Sequence, residues 1–294
     1  SRQMTVAASA WADAHQDPSF RFLVMPEQVF PDRDAGVGLA RKTGMDEALA
    51  RFNTLDVPGG MILCLDADCL CDPSYFTALE ATLAANPRTR GVNIRFEHPL
   101  QGDEYPESQY RAIAGYELHL RVMNRFIRFT GFPYAYHTVG SCFGVRAETY
   151  AREGGMNKRK AGEDFYFLQK IIPLGEFREI NTTVVVPSPR ISDRVPFGTG
   201  AAQKRLMASG NEAVLTYHPE AYVSLKALFD RIPAAFSAPD GIAALRIQEL
   251  PPVVTSFLEE TDFTRAFEEI RANAASPAAF VSRFYRWFNA FRIV

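Results

Sequence analysis

The stretch Met61-Ile-Leu-Cys-Leu-Asp-Ala-Asp-Cys-Leu70 decides how the rest of the chain is read. Its apolar run predicts a strand buried on both faces, as in a parallel sheet. The run leads straight into Asp66-Ala67-Asp68. Two carboxylates at the C-terminal end of such a strand sit where open α/β sheets place their ligands. Strand packing requires no acid there. A divalent cation carrying a diphosphate does, because such ions take oxygen ligands and are held by one or two carboxylates plus substrate phosphates. Asp also favours turns, so a solvated strand end is the plain alternative.

Periodicity places elements on either side. Residues 3–15 are Ala-rich and predict a helix; 20–25 predict a strand. Residues 36–53 have helical apolar spacing at Leu39, Met45, Ala48, Leu49 and Phe52. Asp72-Pro73 opens a further helix, with Asp72 as N-cap and Pro73 at the first position, and 92–96 is the next strand. This β-α-β-α-β order predicts a doubly wound, mostly parallel α/β sheet flanked by helices. Beyond it, 106–129 predicts a long Arg-bearing helix, 141–145 a strand, 164–172 a helix and 177–186 a strand. Residues 201–294 read as a helical region interrupted by prolines. The expected organisation is therefore a catalytic domain over 1–200 and a helical extension over 201–294.

Composition narrows the function classes. At 294 residues, Lys+Arg of 32 against Asp+Glu of 34 leaves a net charge of −2, so no basic field points to nucleic acid. No apolar run approaches membrane-spanning length. Cys64, Cys69, Cys71 and Cys142 form no Cys-x-x-Cys pair, which argues against zinc and for reduced thiols in a cytoplasmic protein.

Two further segments carry chemistry. Gly162-Glu163-Asp164 opens a helix, where acids are favoured by the macrodipole. That field lowers a carboxylate pKa, so a general base placed there needs burial or neighbouring negative charge to raise it again. The loop Ser188-Pro-Arg-Ile-Ser-Asp-Arg194-Val-Pro-Phe-Gly-Thr-Gly200 combines two arginines, hydroxyls and glycines. It suits a cover over an anionic ligand, with Arg190 and Arg194 as phosphate contacts.

Taken in order, Gly36-Val-Gly-Leu-Ala-Arg-Lys-Thr-Gly-Met-Asp46, Asp66-Ala-Asp68, Gly140-Ser-Cys-Phe-Gly-Val-Arg146, Gly154-Gly155-Met156 and Gly162-Glu-Asp164 resemble the family 2 glycosyltransferases of the GT-A fold over residues 20–200. The resemblance implies transfer of a sugar from a nucleoside-diphosphate sugar to a hydroxyl acceptor with inversion. It implies Mn²⁺ or Mg²⁺ held by Asp68, with Asp66 on the metal or the donor ribose. Asp164 would be the base, with Glu163 beside it. Arg41 and Lys42 become candidates for the donor phosphates. Gly140, Ser141 and His137 fall on the acceptor side, and His218 would complete the metal shell.

The acceptor would be a carbohydrate or a lipid-linked one. Phe280, Phe284, Trp287, Phe288 and Phe291 interleave with Arg283, Arg286 and Arg292 at helical spacing. Such a stripe suits packing on the core, a homodimer, or peripheral contact with the inner face of a membrane.

The family opens with a further strand-helix-strand that holds the nucleobase, and no counterpart precedes Gly36. The sequence is expected to lack about fifty residues of the natural protein, and a sheet without them exposes an unpaired edge. Two alternatives are open. The acid pair also fits a haloacid-dehalogenase-type phosphatase with Asp66 as nucleophile, although Asp66 lies far from the start and Cys69 follows the pair. A glycosyltransferase-like binding protein without activity is the other.

Overall fold

In the computed structural model the described residues are 2–191, 198–208 and 214–293. Helix α1 (Arg2–Ala14) is followed by extended chain, then α2 (Val37–Thr54) and β1 (Met61–Cys64). The short β2 (Leu70–Cys71), α3 (Tyr75–Ala85) and β3 (Gly91–Phe96) come next. The long helix α4 (Glu107–Phe129) leads to β4 (Phe143–Arg146), α5 (Ala147–Arg152), α6 (Glu163–Ile171) and β5 (Phe177–Val186). The C-terminal helices are α7 (Thr199–Ala208), α8 (Pro219–Phe229), α9 (Ile232–Ala235), α10 (Pro252–Glu260), α11 (Phe263–Ala272), α12 (Pro277–Trp287) and α13 (Ala290–Ile293).

The protein is a mixed α/β fold. Its five strands lie in the order β1-β4-β3-β5-β2. The expected mostly parallel sheet is corrected here: only β3 and β5 pair in parallel, and the other three pairings are antiparallel. The cause is the path of the chain. Strands β1 and β3 both end at the face that carries Asp66. The chain re-enters from that same face through Gly140 and Ser141, so β4 runs back between them. Among the described residues only β4 pairs with β1, which leaves β1 at an edge. The strand expected over 20–25 is also absent; that segment is extended chain with Leu23 and Val24 exposed. Apolar residues need a paired neighbour to become a strand, and among the described residues this segment has only the isolated bridge of Phe20 to Asp17.

Helices cover both faces of the sheet. Ile62 and Cys64 of β1 join Phe143 and Val145 against α2, α5 and α6 through Met45, Tyr150 and Phe167. On the other face Val92, Ile94, Ile180 and Val185 pack on Tyr75 and Leu79 of α3. Burial on both faces is why the β1 run is continuously apolar rather than alternating. All four cysteines are free; Cys64 and Cys142 are buried, Cys69 is half-buried and Cys71 is exposed.

The C-terminal helices enclose a third core to which Ile127, Phe132 and Ala135 contribute. Phe280, Phe284 and Phe288 are fully buried in it. Most of the aromatic stripe therefore packs inside this chain, with Trp287 half-buried and Phe291 exposed, while Arg283 and Arg286 are exposed. No helix among the described residues is long and apolar enough to cross a membrane.

Candidate active site

The loop after β1 and the N-termini of α2 and α6 converge on a cavity of about 670 Å³. Its walls include Arg41, Asp66, Asp68, His137, Gly140, Ser141, Glu163, Asp164 and Arg190, which the sequence reading assigned to one site. Residues far apart in sequence are thus brought to one place by the strand ends.

The helix starts come together because α2 docks end-on against the segment before α6. The Gly38 N–H donates to the Arg159 carbonyl at 3.1 Å. A Cβ at residue 38 would lie 2.2 Å from that carbonyl oxygen, so only glycine permits the approach. One turn further along α2, Arg41 is carried over the site. Its Nε donates to Glu163 Oε1 at 3.2 Å, its Nη2 to Asp66 Oδ1 at 3.1 Å, and its Nη1 to the Gly140 carbonyl.

Arg41 and Glu163 have side chains only 9% and 4% exposed, so each charge depends on the other. Burial opposes the guanidinium charge, but Asp66 foremost, with Glu163 and Asp164, holds Arg41 firmly protonated. Arg41 is therefore a tether that joins two loops to the start of α6, with each of its three nitrogens engaged. Lys42 is not among the residues that line the cavity and pairs with Asp46 at 2.9 Å.

Asp164 sits in the cavity wall. Burial first, and the Glu163 charge second, push its pKa from 3.8 up to about 6. The Phe165 N–H, 2.7 Å from Oδ1, and Arg41 pull the other way without winning. The upward shift that a base at a helix start needs is thus supplied by its surroundings. Gly140 completes the arrangement. A Cβ there would lie 2.7 Å from Arg41 Nη2 and 2.9 Å from Asp164 Oδ2.

Asp68 projects from the turn after β1, half-exposed, and accepts from Arg190 Nε at 2.6 Å. Arg194 lies outside the described residues. His137 lines the cavity with its ring edge-on to Phe96. Burial, with Arg121 and Arg128 nearby, lowers its pKa to about 4, so it is a neutral imidazole near pH 7. His218 is not among the residues that line the cavity. It is the exposed N-cap of α8, where Nδ1 accepts from the Glu220 N–H at 3.3 Å. A ring nitrogen can serve the free N–H groups of a helix start, which sequence spacing does not reveal.

Sequence reasoning missed the α4 wall. Tyr116, Leu120, Met123 and Ile127 line the cavity at i, i+4, i+7 and i+11 of α4. The signal was the apolar period of that helix, masked by its arginines. Near this wall the buried Glu117 accepts from the His98 N–H at 2.7 Å and from Arg121 at 2.7 Å. Burial alone would raise its pKa, but His98 and Arg121 bring it down to about 2. It is a fixed anion that anchors α4 to the end of β3.

A scan against protein-family models finds no match for this sequence, and a comparison with curated proteins finds none either.

Proposed function

We propose that the protein is a metal-dependent, inverting glycosyltransferase of GT-A type that uses a nucleoside-diphosphate sugar. The observation that carries this reading is Asp164: a carboxylate with its pKa raised to about 6, facing the same cavity as Asp66 and Asp68. A base for a sugar or alcohol hydroxyl needs such a pKa, close to neutral and yet ionised at pH 7.

The donor set suits a divalent cation completed by substrate. Among the described residues no group of three or more His, Cys, Asp and Glu forms a cage. Asp66 and Asp68 supply two carboxylates, which fits Mg²⁺ or Mn²⁺ that takes its other ligands from a diphosphate and water. Asp68 and Asp66 would hold the ion, and its charge would stabilise the departing diphosphate.

This chain's own residues do the rest. Asp164 takes the proton from an acceptor hydroxyl while that oxygen bonds to the anomeric carbon. The bond from that carbon to the diphosphate oxygen breaks, and its electron pair leaves with the diphosphate. Attack and departure on opposite faces invert the configuration. Arg41 holds Glu163 in place beside Asp164, where the Glu163 charge helps to raise the pKa of Asp164. Arg190 lies beside Asp68 and is placed to exchange that carboxylate for a donor phosphate.

A thermal-shift screen of nucleoside-diphosphate sugars, with and without Mn²⁺, tests the reading. A donor- and Mn²⁺-dependent stabilisation that is lost in Asp68→Ala supports it. A donor shift that survives Asp68→Ala contradicts the metal assignment. Turnover of p-nitrophenyl phosphate abolished by Asp66→Asn would establish the phosphatase instead.

A further inference from the structure

The cavity has two chemically different sides. Beside the loop after β1 it is charged, through Arg41, Asp66, Asp68 and Arg190. Along α4 it is apolar. Leu120, Met123 and Ile127 form a stripe that Phe132, Tyr134 and, from α13, Ile293 extend. The residues Tyr116 to Ile127 follow one helix face for about 16 Å at 1.5 Å per residue. The wall is also the open edge of the C-terminal core, because Ile127 and Phe132 belong to that core and Met123, Tyr134 and Ile293 pack on it.

The apolar side begins at the base. Tyr116 heads the stripe, and burial first, with the Asp164 charge second, raises its pKa. Phe165, the residue after Asp164, also lines the cavity and packs edge-on against Phe291 with centroids 5.0 Å apart. Whatever presents a hydroxyl to Asp164 therefore lies along this wall.

We infer that the acceptor is an amphiphile: a hydroxyl group carried on an apolar body that lies along the α4 stripe. A free saccharide would place several hydroxyls against aliphatic side chains that cannot hydrogen-bond, and each buried without a partner is unfavourable. Asn124 and the hydroxyls of Tyr116 and Tyr134 are the polar interruptions in that stretch of the wall. An alkyl, prenyl or aryl body is matched instead, because ligand sites recognise apolar bodies with apolar walls and orient them with a few polar groups. Open apolar surface of this kind marks ligand grooves. The inference rests on the transferase reading for the fate of the hydroxyl, but the binding that it requires does not.

The test is calorimetric titration of the full chain with n-alkyl β-glucosides from hexyl to nonyl, below their micelle concentrations. Affinity is expected to rise about fourfold per added methylene, the increment for burying one CH₂. The double variant Leu120→Gln, Met123→Gln changes only half-buried positions to good helix formers and is expected to flatten that series. Met123→Leu, which keeps the wall apolar, is expected to preserve it. No binding, equal affinity along the series, or an unchanged slope in the double variant overturns the inference. Donor binding with Mn²⁺, titrated separately, decides the transferase reading on its own.

Discussion

Replacing Asp164 by Asn separates catalysis from stability in one experiment. The carboxyl is pushed from 3.8 to about 6, and one pKa unit corresponds to about 1.4 kcal/mol. A fully buried group would thus cost the folded state about 3 kcal/mol when ionised. Asp164 borders an open cavity, so water screens part of that and about 1–2 kcal/mol is expected. The sign follows from linkage. The native state binds this proton more tightly than the unfolded chain, so the group's cost is absent below about pH 4. It grows as pH rises toward 6, and is complete above 6. Asn has no charge to desolvate and keeps an oxygen for the Phe165 N–H. Urea denaturation should therefore find Asp164→Asn more stable than the wild type at pH 8, with the difference shrinking toward pH 4. Transfer activity should fall about 10²–10⁴-fold, the usual contribution of a general base. A variant less stable than the wild type at pH 8, or a stability difference independent of pH, would refute the account of Asp164.

Other perturbations probe the rest of the site. Arg41→Ala leaves Glu163 buried without its partner and should destabilise the fold by about 3–5 kcal/mol, read by chemical denaturation; a loss under 1 kcal/mol would show that Glu163 is solvated. Gly140→Ala forces a methyl group against Arg41 and Asp164, so activity should fall at least tenfold while α6 and the sheet keep their far-UV signature. Arg190→Ala frees Asp68, so the chain alone should bind Mn²⁺ more tightly but a nucleoside diphosphate more weakly; equal losses for both would contradict the exchange. Phe284→Ala removes a fully buried ring that stacks on Phe288 and should cost about 3–5 kcal/mol, measured as a lowered urea midpoint.

Much of this was legible in the sequence because local rules and tertiary context agree. The continuous apolar run of β1 and the helical period of α2 both match their observed burial. Glu163-Asp164 at a helix start follows from the macrodipole. What was not legible depends on contacts distant in sequence. The extended segment 20–25 has a strand's composition without a partner strand. β4 reverses the sheet because of where the chain re-enters, which no local pattern records. Lys42 and His218 have the right chemistry for phosphate and metal, but Asp46 and the α8 N-terminus engage them. Arg41 points at the site as expected, and two loops and the start of α6 engage its three nitrogens, which makes it a structural tie as well. The pKa of Asp164 is likewise a product of burial that sequence alone does not quantify.

The most direct test of the central claim is the release of nucleoside diphosphate from a panel of donor sugars with Mn²⁺, followed from pH 5 to 8. The account predicts release by the wild type that rises through a midpoint near pH 6, falls at least a hundredfold in Asp164→Asn, and requires Asp68. Release that is unchanged in Asp164→Asn, or a profile without a step near pH 6, would contradict it.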